Sequence, residues 1–410
     1  MSEIEKLIQE LCPDGVEFKK LGNLVSILRG KRLTKKQLSL DAPFPVFHGG
    51  IEPIGFFYQF NRPSGSVMVI NVGASAGTVG FCNQNFWSSD GCFCISKESN
   101  LLSKYIYYFL QTKENLLKSR VRYAGIPTLD AKSISEIEIP VPPLKVQQRI
   151  VEILDNFTSL TAELEAELEA RKRQYEYYRN LLLTFNPVAN GAVTGGEQQI
   201  GDGFTPPIKS LNIRYLSLGE MGTFIRGGGL QKSNFTTDGF PCIHYGQIHT
   251  FYKTYAYETI SYTSNKLAAK LKHAKYGDLI IATTSEDVDG CCKAVAWLGD
   301  NEVAISGDSY IFRHNQNPKY ISYLFQTEMF LKYKRMAATG TKVTRVSGDS
   351  MKKFVFPITP LDEQERIVVI LDSFETLVND LTAGLPAEIE ARRKQYEYYR
   401  NKLLTFKKIA

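Results

Sequence analysis

Downstream of Pro143 the apolar positions fall into alternating steps of four and three. Ile150, Leu154, Phe157, Thr161, Leu164, Leu168, Arg171, Tyr175, Tyr178, Leu182 and Phe185 form one line. A stripe of that period predicts a coiled-coil helix, despite its two polar members. About 41 residues at 1.5 Å each give a rod of roughly 60 Å. A second stripe runs through Ile367, Leu371, Phe374, Val378, Leu381, Leu385, Ile389, Arg392, Tyr396, Tyr399, Leu403 and Phe406. Two successive steps of four, ending at Ile389, predict a stutter that loosens supercoiling. Pro386 beside it should kink or interrupt the helix. Shorter patterns predict an amphipathic helix at 3–11, strands at 66–71 and 278–282, and single helices near 102–118 and 318–336.

The chain is written twice. Residues 140–157, PVPPLKVQQRIVEILDNF, return at 357–374 as PITPLDEQERIVVILDSF. The block QYEYYRN at Gln174 to Asn180 recurs unchanged at Gln395 to Asn401, with four extra residues between blocks in the second copy. Weaker echoes precede them: Leu21-Gly22 with Arg29-Gly30 matches Leu218-Gly219 with Arg226-Gly227, and Pro45 to His48 matches Pro241 to His244. Lys104-Tyr-Ile-Tyr-Tyr matches Lys319-Tyr-Ile-Ser-Tyr, each leading into Gln-Thr. Between these landmarks the halves differ, so two similar scaffolds carry dissimilar contents. The glycines and prolines of 186–210 read as a linker. Each long helix must hide its seam; mutual antiparallel packing is the economical solution, with dimerisation to another chain as the alternative.

Composition narrows the class without deciding it. An ordinary 43% hydrophobic content excludes disorder of the whole chain, and no apolar run approaches a membrane span. The amino terminus does not read as a secretory signal, so a cytoplasmic protein is expected. A net charge of +6 identifies no partner, but Arg29, Lys31, Arg32, Lys35 and Lys36 crowd five cations into eight residues. The seven cysteines fit neither a disulfide framework nor zinc spacing and read as buried thiols. No phosphate loop is present, and neither 73–80 nor 226–229 makes a nucleotide fingerprint. Pro142-Pro143 and Pro206-Pro207 lack the flanks of an amino-methyltransferase motif. Five scattered histidines, with His48 and His244 at equivalent places, point to turns rather than catalysis. The acids Glu286, Asp287 and Asp289 read as a loop tip. No catalytic residue and no metal site is expected.

The pattern IPVPPLKVQQRIVEILDNFTSLTAEL, repeated as FPITPLDEQERIVVILDSFETL, resembles the specificity subunit of type I restriction–modification systems over essentially the whole chain. The resemblance implies an α+β fold: two similar globular target recognition domains, separated by two long helices forming an antiparallel coiled coil with a pseudo-twofold repeat. The corresponding segments are 1–143, 144–185, 186–210 as linker, 211–360 and 361–408. Each recognition domain would read one half of a bipartite, asymmetric site in double-stranded DNA, the helices setting a fixed spacer. Two modification subunits, adenine-N6 methyltransferases, and two ATP-dependent restriction subunits would dock. S-adenosylmethionine, ATP and Mg would belong to those partners, and no cofactor to this chain. The acid-rich units of TAELEAELEA resemble those whose copy number adjusts spacing in one branch of the family.

Phosphate contacts need cations, and base readout needs side chains that reach groove edges. The candidates in the first domain are Arg29, Lys31, Arg32, Lys35, Lys36, Arg120 and Arg122. In the second they are Arg226, Lys232, Lys334, Arg335, Lys342 and Arg345, with Lys332 nearby. An aromatic-plus-arginine helix face used twice suits a partner interface, naming Tyr177, Arg179, Tyr398 and Arg400. Two other readings stay open: a self-contained methyltransferase or nuclease fragment, and a coiled-coil scaffold without sequence preference.

Overall fold

A computed structural model describes residues 3–96, 100–185, 213–340, 343–380 and 382–409. The expected linker and Lys342 lie outside them. The chain divides into two compact units, residues 1–166 with 387–410 and residues 167–386. These units do not follow the five expected segments end to end. Each globular segment keeps the start of its own long helix and takes up the far end of the other, because both helix ends bury their seams on its core.

The first unit is built on four antiparallel strands, ordered Ile27–Arg29, Cys92–Ile95, Ser66–Ile70, Val79–Cys82. All of Ser66–Ile70 is buried, as a nearly continuous apolar run demands when both sheet faces are covered. Val67 and Val69 share a core with Tyr105 and Phe109 of the helix Ser103–Thr112. Met68 and Ile70 point the other way, toward Phe47 and Phe86. Phe47 belongs to a small sheet ordered Gly55–Phe57, Phe44–Phe47, Trp87–Ser88. The arriving strand Phe18–Lys20 pairs antiparallel with the departing strand Glu138–Pro140, which closes the domain at its base. Onto this core pack the amphipathic helix Glu3–Leu11, Ile150 and Leu154 of the long helix Leu144–Thr184, and Leu403 and Leu404. Phe157 stacks on Tyr399 at 5.4 Å, and Glu165 pairs with Arg393 farther along, so the two long helices run antiparallel here.

The second unit repeats the plan. Gly222–Arg226, Ser309–His314, Leu279–Ala282 and Lys293–Trp297 take the same order, with Tyr255–Ala256 added at the edge. Leu279 and Ile281 face Tyr320 and Tyr323, while Ile280 and Ala282 face Ile243 and Trp297. Arg214–Ser217 and Val355–Ile358 form the closing pair. A second five-stranded sheet, Phe235–Thr236, Tyr262–Thr263, Phe240–Ile243, Val303–Ile305, His273–Ala274, covers the outer face. Tyr175, Leu182 and Leu183 from the end of the first long helix meet Ile367, Leu371 and Val378, and Tyr178 stacks on Phe374 at 5.6 Å.

Three expectations change in detail. The single helices at 102–118 and 318–336 are each two: Ser103–Thr112 with Glu114–Ser119, and Pro318–Leu324 with Glu328–Ala337. In the second pair Thr327 starts the new helix by accepting the Phe330 N–H, which ends the old one. The second long helix is broken into Leu361–Asn379 and Leu385–Leu403 rather than stuttered. Asp380 Oδ1 accepts from Thr382 N–H, Thr382 Oγ1 and Ala383 N–H, which holds Thr382 and Ala383 in a turn. A Cβ on Gly384 would lie 2.4 Å from the Thr376 carbonyl oxygen, so only glycine closes this turn. Pro386 then falls in the first turn of the next segment, where its missing N–H costs nothing. The seam of the first long helix reads as expected, every position from Ile150 to Phe185 being buried or half-buried.

Candidate nucleic-acid interface

The repeated motif turns out to be a joint. Gln147 Oε1 accepts the Leu102 N–H at 2.9 Å, and its Nε2 donates to the carbonyls of Asn100 and Pro142. Gln364 does the same with the Asn317 N–H at 2.9 Å and the Thr359 carbonyl. Eight residues on, Asp155 accepts from Tyr108 Oη and Lys104 Nζ, both at 2.6 Å. Asp372 accepts from Tyr323 Oη at 2.6 Å and Lys319 Nζ at 2.7 Å. Burial, reinforced by the carboxylates, pushes both phenols far up and keeps them donors. Both halves of this joint were visible as repeats in the sequence. That they touch was not, because nothing local links residues some fifty positions apart.

The joint holds a sheet whose far end gathers loops. Ile27–Arg29 and Ser66–Ile70 are both antiparallel to Cys92–Ile95, so their carboxyl ends lie together, beside Ser88 to Gly91. Arg29 ends its strand, and Gly30 follows because a Cβ there would sit 1.9 Å from the Ser89 carbonyl oxygen. Lys31 is tied down on both sides, its N–H to Ser88 O and its carbonyl to Trp87 Nε1. A short turn at Lys35–Gln37, closed by Thr34 and Gln37, completes the loop. Arg29, Lys31, Arg32, Lys35 and Lys36 are all exposed, and among the described residues none pairs with a carboxylate. Five cations of one sign on a pinned loop make a local positive field suited to a polyanion.

The second unit builds the same loop with different residues. Arg226 ends the strand; a Cβ on Gly227 would lie 2.0 Å from Ser306 O, and Lys232–Asn234 forms the turn. Arg226 and Lys232 are exposed, Arg226 Nε donating to Gly307 O. Each sheet end also holds a hairpin. Arg122 and Thr128 exchange backbone hydrogen bonds of 2.9 and 3.0 Å, and Thr339 and Arg345 exchange two of 2.9 Å. Leu129 N–H bonds Asn71 O, and Val346 N–H bonds Thr283 O, fixing each hairpin to the central strand's end. The Arg122 guanidinium pairs with Asp130 at 2.6 Å, and Arg345 lies 3.3 Å from Asp308.

Other predicted cations lie elsewhere. Lys334 is only 6% exposed; its Nζ donates to Asp289 O at 2.6 Å, and burial lowers its pKa. It closes the acidic loop from inside, which removes it from the DNA candidates. Arg120 turns inward and donates to Ser133 O. Arg335 stays exposed, 3.8 Å from Asp289, as does Lys332. Among the partner candidates, Tyr177 and Tyr398 are exposed, each edge-on to the next tyrosine. Arg179 and Arg400 are not on that surface. Arg179 covers the Tyr175 ring at 5.2 Å and reaches toward Gln326, and Arg400 covers Tyr396 at 5.3 Å, whose hydroxyl donates to Gln111. The repeated Gln-Thr landmark is therefore the other face of this contact.

His48 and His244 serve turns. His48 Nδ1 accepts the Gly91 N–H, and His244 Nδ1 accepts the Gly246 N–H at the start of Tyr245–Thr250, with burial lowering the His244 pKa. All seven cysteines are buried and free. No group of three or more metal-ligating side chains occurs among the described residues, and none of their helices is long and apolar enough to cross a membrane.

Two modules of one plan, each locked to its long helix by a glutamine and an aspartate at equivalent places, define an internally repeated architecture. The type I restriction modification DNA specificity domain matches the chain twice, at residues 13–171 and 212–391. A type I restriction enzyme specificity subunit of Escherichia coli is 31% identical over 325 residues, covering 76% of this chain and 72% of its own. A Haemophilus influenzae protein, named as a candidate type I specificity subunit, is 29% identical over 98% of both chains. In structure, the S subunit of Mycoplasma genitalium superposes with a TM-score of 0.58 over 95% of this chain and 96% of that one, at 16% identity. The chain belongs to the specificity subunits of type I restriction–modification systems.

Proposed function

We propose that the two recognition domains each read one half of a bipartite, asymmetric site in double-stranded DNA. One observation carries this reading: both units gather an arginine-ended strand, a pinned turn and a hairpin at the same end of the same sheet, yet fill them with different residues. Equal scaffolds with unequal loops suit two unlike half-sites. The exposed cations at 29–36, Arg226 and Lys232, together with Lys342, neutralise phosphates and set the register. The long helices set the number of unread base pairs between the half-sites. Two modification subunits, adenine-N6 methyltransferases holding S-adenosylmethionine, dock around Tyr177 and Tyr398, and two restriction subunits bring ATP and Mg. This chain supplies the address and no reacting group.

Methyl transfer tests that division. Purified alone, the chain transfers no labelled methyl group from S-adenosylmethionine to DNA. Joined to its modification subunits, it directs methylation to duplexes carrying both half-sites and not to duplexes lacking one. Transfer by the isolated chain would overturn the reading in favour of an enzyme. Methylation without sequence preference would favour a scaffold.

A further inference from the structure

We infer that the hairpin tip at residues 123–127 is the base-reading element of the first recognition domain, and that Ile126 with Tyr123 contacts the 5-methyl group of thymine. The inference rests on the DNA-recognition reading above and assigns labour within it. The tip is uncharged, Tyr-Ala-Gly-Ile-Pro, and the arginine at its base is already neutralised by Asp130 at 2.6 Å. It can therefore add little to phosphate binding, which the unpaired cations of the neighbouring loop supply.

What the tip offers instead is apolar. Tyr123 is 72% exposed and Ile126 70%, although both are large hydrophobic side chains at the end of a well-packed domain. The tip is also held. Pro127 O accepts the Gly73 N–H at 2.9 Å, Thr128 Oγ1 donates to Ile126 O at 2.8 Å, and Arg122 and Thr128 close the hairpin. Gly125 turns the chain at φ +91° with nothing within 4 Å of a would-be Cβ, so the tip stands clear of its own domain. Exposed apolar groups on a rigid, uncharged projection beside a cationic loop match a duplex whose phosphates bind the loop. The groove floor then meets the tip, where the thymine methyl is the apolar feature of the major groove.

The test uses the chain in complex with its modification subunits, on the duplex it selects from a randomised library. Each thymine of the first half-site is replaced singly by deoxyuridine, which removes only the methyl group. At one or two positions the affinity should fall about fourfold, the worth of one buried methyl. The Ile126→Ala complex should bind the thymine duplex more weakly by a similar factor. It should no longer distinguish thymine from deoxyuridine at that position, and its salt dependence and second half-site should be unchanged. Equal binding of every deoxyuridine duplex, or an Ile126→Ala complex with unaltered discrimination, would overturn the assignment alone. Loss of the modification subunits from the Ile126→Ala complex would overturn it too, making the tip a protein contact. A wild-type complex that selects no target would overturn both the assignment and the reading beneath it.

Discussion

Asp155 holds a phenol and an ammonium in place, and the two contacts differ in worth. The Lys104–Asp155 pair is more than a third exposed on the lysine side, so its contribution is small. Leaving the buried Tyr108 hydroxyl without an acceptor costs more, about 1–3 kcal/mol. Asp155→Ala should therefore lower the first unit's melting temperature by several degrees in calorimetry, while the sequence selected stays the same; an unmoved transition would contradict the joint. His314 gives a pH signature. Burial holds its pKa down to about 4, opposed in part by Asp278. The unfolded chain takes up a proton near pH 6.5, so this stability is complete above that pH and is lost as the pH falls toward 4. The loss should be about 3 kcal/mol, reduced in a His314→Gln variant. For the exposed cations, replacing Lys31, Arg32, Lys35 or Lys36 by alanine should reduce the salt slope of DNA binding by about 1 each, evenly across sequences. At this scale the sequence disclosed where cations cluster but not which way they face. Lys334, Arg120, Arg179 and Arg400 have stems long enough to fold back onto the core, and only packing decides that direction.

Helices were the most legible elements, because a stripe of eleven positions over-determines its own phase. The first long helix occupies Leu144–Thr184, close to its expected bounds. The second differs, since an extra four residues can be absorbed by a stutter or by a turn, and heptad counting does not separate the two. Asp380 and Gly384 decide for the turn. Gly384→Ala should strain that turn against the Thr376 and Leu377 carbonyls and destabilise the second unit, read as an earlier melting transition. On the first helix, deleting Glu163–Ala166 removes about 6 Å of rise and rotates the downstream part of the helix by about 40°. If this helix sets the separation, the tolerated spacer should shorten by about one or two base pairs at roughly 3.4 Å each. An unchanged spacer in the selected target would count against that role.

For the whole molecule, the tandem repeat made two alike modules legible, along with their attachment to long helices. It did not disclose that one compact unit joins both ends of the chain while the other is the continuous stretch 167–386. The matching seams are alike enough that local pattern cannot assign a helix end to a core. That assignment is made by Tyr175 and Leu182 in one unit and by Leu403 and Leu404 in the other. Within each unit the loops at the sheet's free end differ from their counterparts, and this is why two different half-sites are expected. The most direct measurement is selection from a randomised duplex library by the chain bound to its modification subunits. Two different short motifs at one fixed separation are predicted. A single palindromic motif, or no enrichment at all, would contradict the account.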